Sequence, residues 1–162
     1  MMRLAPMTAG LAALIAGVLT SLGSFAGGQE ASMAVLDPQT AHAKAEAGEI
    51  VLVDIRTPEE WRETGVPASA HAITMNQQPA AFLAALGSVA GTDKTKPIAL
   101  ICRTGNRSAH LAAELRKAGF KNISDVAEGV AGGRNGPGWL RGGLPVRKGA
   151  DVLARPVVAG AQ

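Results

Sequence analysis

The chain has 162 residues, 47% of them hydrophobic and 18% charged, which fits one globular domain and excludes wholesale disorder. Three Phe, two Trp and no Tyr, with a net charge of only +3, argue against an aromatic, basic surface for nucleic acid. A single cysteine excludes an internal disulfide and any multi-thiolate zinc site.

In chain order, residues 1–26 carry one basic residue, Arg3, then an apolar run and small residues ending at Ala26. That pattern predicts a secretory signal cleaved after Ala26, because the run is too short and too diluted for a spanning helix. Export to the periplasm follows as the expected localisation, with membrane contact only during passage. Residues 27–36 read as a flexible leader. Asp37-Pro38 then offers an N-cap and an N1 proline for a helix over 39–47, stopped by Gly48. Ile50-Val51-Leu52-Val53 has the continuous β-branched character of a strand buried on both faces. Charge enters abruptly behind it at Asp54-Ile55-Arg56, and Thr57-Pro58-Glu59-Glu60 begins a second helix with a hydroxyl cap and acids in its first turn.

A short strand is expected within 70–75, and Pro79 opens a helix with Phe82, Leu86 and Val89 on one face. Pro97-Ile98-Ala99-Leu100-Ile101 is the second buried strand, with Cys102 at its end. A polar loop over 103–107 leads to a helix over 108–118, stopped by Gly119. A strand over 122–126 and a Gly-rich stretch to Gly143 follow, and 149–162 reads as a loosely ordered tail. Alternating strands and helices predict an α/β fold with a mostly parallel central sheet flanked by helices on both faces. In such folds ligands sit beyond the carboxyl ends of the strands, which puts Asp54–Arg56 and Cys102–Arg107 on one rim.

The loop Cys102-Arg103-Thr104-Gly105-Asn106-Arg107-Ser108 carries the chemistry. A helix N-terminus and two arginines favour a thiolate there, and Gly105 lets the loop curl so that successive N–H groups face the sulfur. A thiolate in a cup of donors is suited to attack an electrophile and hold the anionic adduct. His42, His71 and His110 are scattered without ligand spacing.

With its flanks, the segment Leu100-Ile101-Cys102-Arg103-Thr104-Gly105-Asn106-Arg107-Ser108-Ala109 resembles the active-site loop of rhodanese sulfurtransferases. Val53-Asp54-Ile55-Arg56-Thr57-Pro58-Glu59-Glu60-Trp61 is similar to that family's first-strand signature. Asn122–Val126 with Glu128-Gly129, and Trp139–Val146, resemble its late strand and terminal segment. The resemblance implies a single rhodanese domain over 37–148 with no metal or organic cofactor. It also implies Cys102 as the nucleophile that takes a sulfane sulfur from thiosulfate or a similar small anionic donor. A thiophilic acceptor then removes that sulfur from the persulfide. Arg103, Thr104, Gly105, Asn106, Arg107 and Ser108 would form the substrate cup, and Asp54, Arg56 and Glu59 would brace it.

Two departures stand out. The family's His-Ile-Pro-Gly-Ala-like stretch reads Gly65-Val66-Pro67-Ala68-Ser69-Ala70, without the histidine, and the segment over 131–138 is longer than the usual turn. That segment is a candidate lid carrying Arg134. The competing readings are a sulfur carrier without turnover, a thiol redox sensor and a partner-docking module. A cysteine phosphatase fits less well, because its loop needs five residues between Cys and Arg and here there are four.

Overall fold

The computed structural model describes residues 34–154. The expected export signal over 1–26, the leader up to residue 33 and the tail from residue 155 lie outside the described residues. Among those described, no helix is long and apolar enough to cross a membrane.

The two apolar runs form the centre of the fold. Strand β2 (Val51–Asp54) and strand β5 (Ile98–Ile101) pair in parallel, with Asp54 opposite Ile101. Beyond β5 lies β6 (Ile123–Val126), then β1 (Ala34–Leu36), and on the other side of β2 lies the short β4 (His71–Ala72). The order β1-β6-β5-β2-β4 is parallel at every pairing. A separate antiparallel pair joins β3 (Val66–Pro67) to β7 (Val146–Arg147).

Side chains alternate along a strand, so a strand covered on both faces must be apolar at successive positions. Val53, Ile98, Leu100, Cys102 and Ile123 face one core with helices α3 (Pro79–Ala90) and α4 (Asn106–Lys117). Leu52, Ala99, Ile101 and Val126 face the other. That second core is closed by α1 (Pro38–Glu46), α2 (Pro58–Thr64), α5 (Gly138–Arg141) and α6 (Gly149–Leu153). Helices on both faces of a parallel sheet are the architecture the sequence predicts.

Two boundary expectations are corrected. The last three residues of the expected leader are strand β1, which fills the open edge of β6 in the register Ala34–Ser124, Val35–Asp125 and Leu36–Val126. The start of the expected loose tail is helix α6, whose Gly149 sits against the backbone of Trp61 and whose Val152 and Leu153 cover the second core. In both, tertiary contact orders a segment that carries no local signal of its own.

Candidate active site

Helix α2 begins where the sequence places its cap. The Thr57 hydroxyl accepts from the Glu60 N–H at 3.3 Å and Glu60 Oε2 accepts from the Thr57 N–H at 3.0 Å, a reciprocal capping box with Pro58 at N1. Glu60 reaches further. Its Oε1 and Oε2 accept from both terminal nitrogens of Arg107 at 2.6 and 2.9 Å, joining the start of α2 to the first turn of α4. Burial alone would raise the Glu60 carboxyl, but the hydrogen bonds from Arg107 and the Thr57 amide, with the charges of Arg107 and Arg56, hold it below its ordinary value. The same contact raises Arg107, with a smaller contribution from Cys102, which the guanidinium also faces.

Asp54 and Arg56 are buried together at the end of β2. Arg56 Nε and one terminal nitrogen donate to Asp54, at 3.0 to 3.1 Å and 2.6 Å. Its remaining donors go to Thr64 Oγ1 at 2.7 Å, Gly65 O at 2.7 Å and Glu60 O at 3.4 Å. All five guanidinium N–H groups are thereby engaged. The pair stitches the end of β2 to α2, not to the 103–108 loop that it was expected to brace. Glu59 is corrected more sharply. It is exposed and pairs only with Arg62, at 3.2 Å, while the neighbouring Glu60 reaches the loop. Only the N3 position of a capping box faces back across the helix start, and the Thr57-x-x-Glu60 spacing carries that signal.

At the end of β5, Cys102 is 1% exposed. Its sulfur accepts from the Gly105 N–H at 3.2 Å and from the Ser108 hydroxyl at 3.3 Å. Helix α4 starts at Asn106, two residues before the expected position, so Arg107 and Ser108 belong to its first turn. The first-turn amides have no acceptor within the helix, which leaves partial positive charge beside the sulfur. The cup of successive amides is thus narrower than expected: one loop N–H and one hydroxyl contact Sγ. Gly105 makes the bend at φ +93°, and a Cβ there would run into the carbonyl of Ala127.

Arg103, Thr104 and Asn106 are exposed around this centre, whereas Gly105 and Ser108 are buried with Cys102. Residues after β6 strap the loop from behind, with Val130 N–H donating to Cys102 O at 2.8 Å and Ala131 N–H to Arg103 O at 2.9 Å. The 131–138 segment folds as a tight turn bridged between Gly133 and Gly136. Asn135 donates to Ala127 O at 2.9 Å, and Glu128 accepts from the Gly138 N–H at 2.8 Å. A Cβ on Gly133 would stand 3.9 Å from that of Thr104, so this turn lies against the loop and presents Arg134 to solvent beside it.

Sequence reasoning missed Asp125, on β6. It is 3% exposed, its Oδ1 has no hydrogen-bond partner, and burial pushes its carboxyl above the ordinary value of 3.8, offset in part by Ser108. An isolated Asp inside a four-residue strand carried no signal beyond its burial-prone neighbours.

A family model for the rhodanese-like domain matches residues 37–135. The thiosulfate sulfurtransferase GlpE of Pseudomonas syringae is 33% identical over 94 residues, covering 58% of this chain and 80% of the relative. A sulfurtransferase of Allochromatium vinosum is 28% identical over 102 residues, 63% of this chain and 82% of its own. Among solved structures, the polysulfide-sulfur transferase homodimer of Wolinella succinogenes matches with a TM-score of 0.53 and 30% identity, over 71% of this chain and 78% of that one.

Proposed function

The chain belongs to the rhodanese-like family, and on that premise we propose that it is a sulfurtransferase working through a persulfide on Cys102. The observation that carries the reading is the placement of the only cysteine: its sulfur lies at the N-terminus of α4, under the Gly105 N–H and the Ser108 hydroxyl. Those donors stabilise an anionic sulfur, in the thiolate and in the adduct.

In the first step the thiolate attacks the outer sulfur of thiosulfate. A new S–S bond forms on Cys102, the S–S bond of thiosulfate breaks, and sulfite leaves with the electron pair. In the second, an acceptor such as cyanide attacks the outer sulfur of the persulfide, thiocyanate departs and the thiolate returns. This is double displacement by an activated nucleophile, with no net change in the protein. Arg103, exposed beside the sulfur, supplies positive charge for the sulfonate. Arg107 is engaged with Glu60 and serves chiefly to hold the loop and the local field. The working location is periplasmic, a reading supported by the composition of residues 1–26 and checked by fractionating cells that produce the full chain.

Intact mass spectrometry of the reduced protein after thiosulfate exposure, beside Cys102→Ser, tests the reaction. The expected result is a gain of one sulfur atom, absent in the variant and removed by cyanide with release of thiocyanate. No adduct in either protein overturns the thiosulfate reading. An adduct that cyanide does not remove replaces turnover with sulfur carriage.

A further inference from the structure

Three residues on the α3/α4 face of the sheet converge beneath the start of α4. Ile123 faces this core, so Asp125, two residues on, points the same way. Its partner across the ladder is Leu100, also in this core, and Cys102 follows Leu100 by two residues. Asp125 and Cys102 are therefore diagonal neighbours, on the order of 7–8 Å apart along the backbone. Ser108 lies between them, with its hydroxyl 3.3 Å from the sulfur and facing the Asp125 carboxyl.

A hydroxyl has one proton to donate, and Ser108 has competing acceptors: the sulfur, the Gly105 carbonyl at 3.0 Å and the carboxyl of Asp125 if that group is ionised. An ionised Asp125 would draw the proton away from the sulfur and would itself be a buried carboxylate without a cation. A protonated Asp125 reverses this, because its own O–H donates to Ser108 Oγ and leaves the Ser108 proton to the sulfur.

We propose that Asp125 is a positioning residue that acts on Cys102 through Ser108, as a neutral acid whose O–H donates to Ser108 Oγ and turns the hydroxyl proton onto the sulfur. The inference rests on the sulfurtransferase reading for its purpose. When an acceptor breaks the persulfide bond, the electron pair returns to Cys102 Sγ, and a hydrogen bond already aimed there steadies that leaving group without proton transfer. The surroundings agree with a neutral carboxyl. Beside Asp125, β1 presents Val35 in register and β5 presents Leu100, neither ionisable, while α4 contributes Ser108. Arg107, the cation of the first turn of α4, is held by Glu60. Burial raises the Asp125 carboxyl, in keeping with this arrangement.

The test reads the proton affinity of the sulfur from the pH dependence of thiolate ultraviolet absorbance, with Cys102→Ser as the blank and no sulfur donor present. Loss of the donor in Ser108→Ala is expected to raise that affinity about tenfold. Asp125→Ala is expected to raise it about threefold, a partial loss of the same hydrogen bond. Asp125→Asn, whose amide still donates to Ser108, is expected to match the parent. Because Asp125 acts through Ser108, Asp125→Ala has no further effect in the Ser108→Ala background. Equal affinity in Asp125→Ala and the parent overturns the proposal, as does an undiminished Asp125→Ala effect without Ser108. A roughly tenfold fall in Asp125→Asn overturns it as well, because it means a charge has been removed.

Infrared difference spectra of the parent against Asp125→Asn give a measurement independent of the alanine variant's folding. The protonated-carboxyl band is expected at neutral pH, and its absence there overturns the proposal. The outcomes stay separable from those of sulfur transfer. A protein that couples Asp125 to its thiol but takes up no sulfur refutes the proposed activity alone, and the converse refutes the relay alone.

Discussion

The ends of β2 and of β5 with β6 lie side by side on one rim of the sheet, and they treat buried charge in opposite ways. At the end of β2, Asp54 and Arg56 satisfy each other, and every guanidinium N–H has an acceptor. At the other end, a buried sulfur shares the proton of Ser108 with a carbonyl, and a buried carboxyl oxygen of Asp125 has no partner. A saturated network has nothing left to offer a substrate and serves to fix geometry. An unsaturated one costs stability and keeps its donors available. The division assigns structure to β2 and chemistry to the ends of β5 and β6, although both ends display charge in the sequence.

The largest effect should come from breaking the saturated side. Asp54→Ala leaves the buried Arg56 guanidinium without its counter-charge, and such losses cost about 3–5 kcal/mol. A large fall in the denaturant midpoint is expected, with sulfur uptake by the remaining folded protein unimpaired. Unchanged stability would mean that the β2 end is not a structural network, and the contrast would fail.

Gly105→Ala should come next. The substitution meets a positive φ of 93° and the Ala127 carbonyl, so the loop must shift and the Gly105 N–H leaves the sulfur. Strain of this kind costs about 1–3 kcal/mol, and loss of a hydrogen bond to charged sulfur about tenfold or more in the sulfur-uptake rate. Uptake should therefore fall more steeply than stability, the reverse of Asp54→Ala. Parallel mass spectrometry and denaturation curves separate the two.

Glu60 bridges the regions, and its pH dependence sharpens the contrast. Its folded carboxyl lies below the ordinary value of 4.5, so its contribution to stability is present above that value. It is lost as pH falls through the folded value. Glu60→Gln should thus melt below the parent at neutral pH, and the two melting curves should converge in acid. A gap that persists in acid would show that the side chain acts through packing, not charge.

What the sequence revealed follows the same division between local and long-range causes. The buried strands, the Thr57-Pro58 helix start and the glycine bend after Cys102 are each written in consecutive residues, where periodicity, caps and backbone freedom act. Strand β1 exists because β6 has an open edge, and α6 because Trp61 presents a surface to Gly149. Neither cause lies within the segment it orders. Asp125 was illegible for a further reason: one polar residue in a short strand looks alike whether it faces solvent or lies beside a thiol. The choice between Glu59 and Glu60, by contrast, was readable, since a Thr three residues before a Glu marks the acid that folds back on the helix start.

That choice supplies the smallest expected effect and a demanding control. Glu59 and Glu60 are adjacent, carry the same charge and lie in the same first turn of α2, so a model based on charge near the helix terminus treats them alike. The geometry does not. Glu59 is exposed and holds only Arg62 three residues away, in a contact open to water and salt, whereas Glu60 grips Arg107 across to the loop of Cys102. Exposed pairs of the first kind contribute little. Glu59→Gln should therefore leave both the melting temperature and the rate of sulfur uptake indistinguishable from the parent, at low salt and at high. Glu60→Gln, with the identical change in charge, should shift both. Equal shifts from the two variants would mean that the rim responds to its summed field and not to the particular contact between Glu60 and Arg107. The distinction drawn between the two strand ends would then have to be recast in terms of that field.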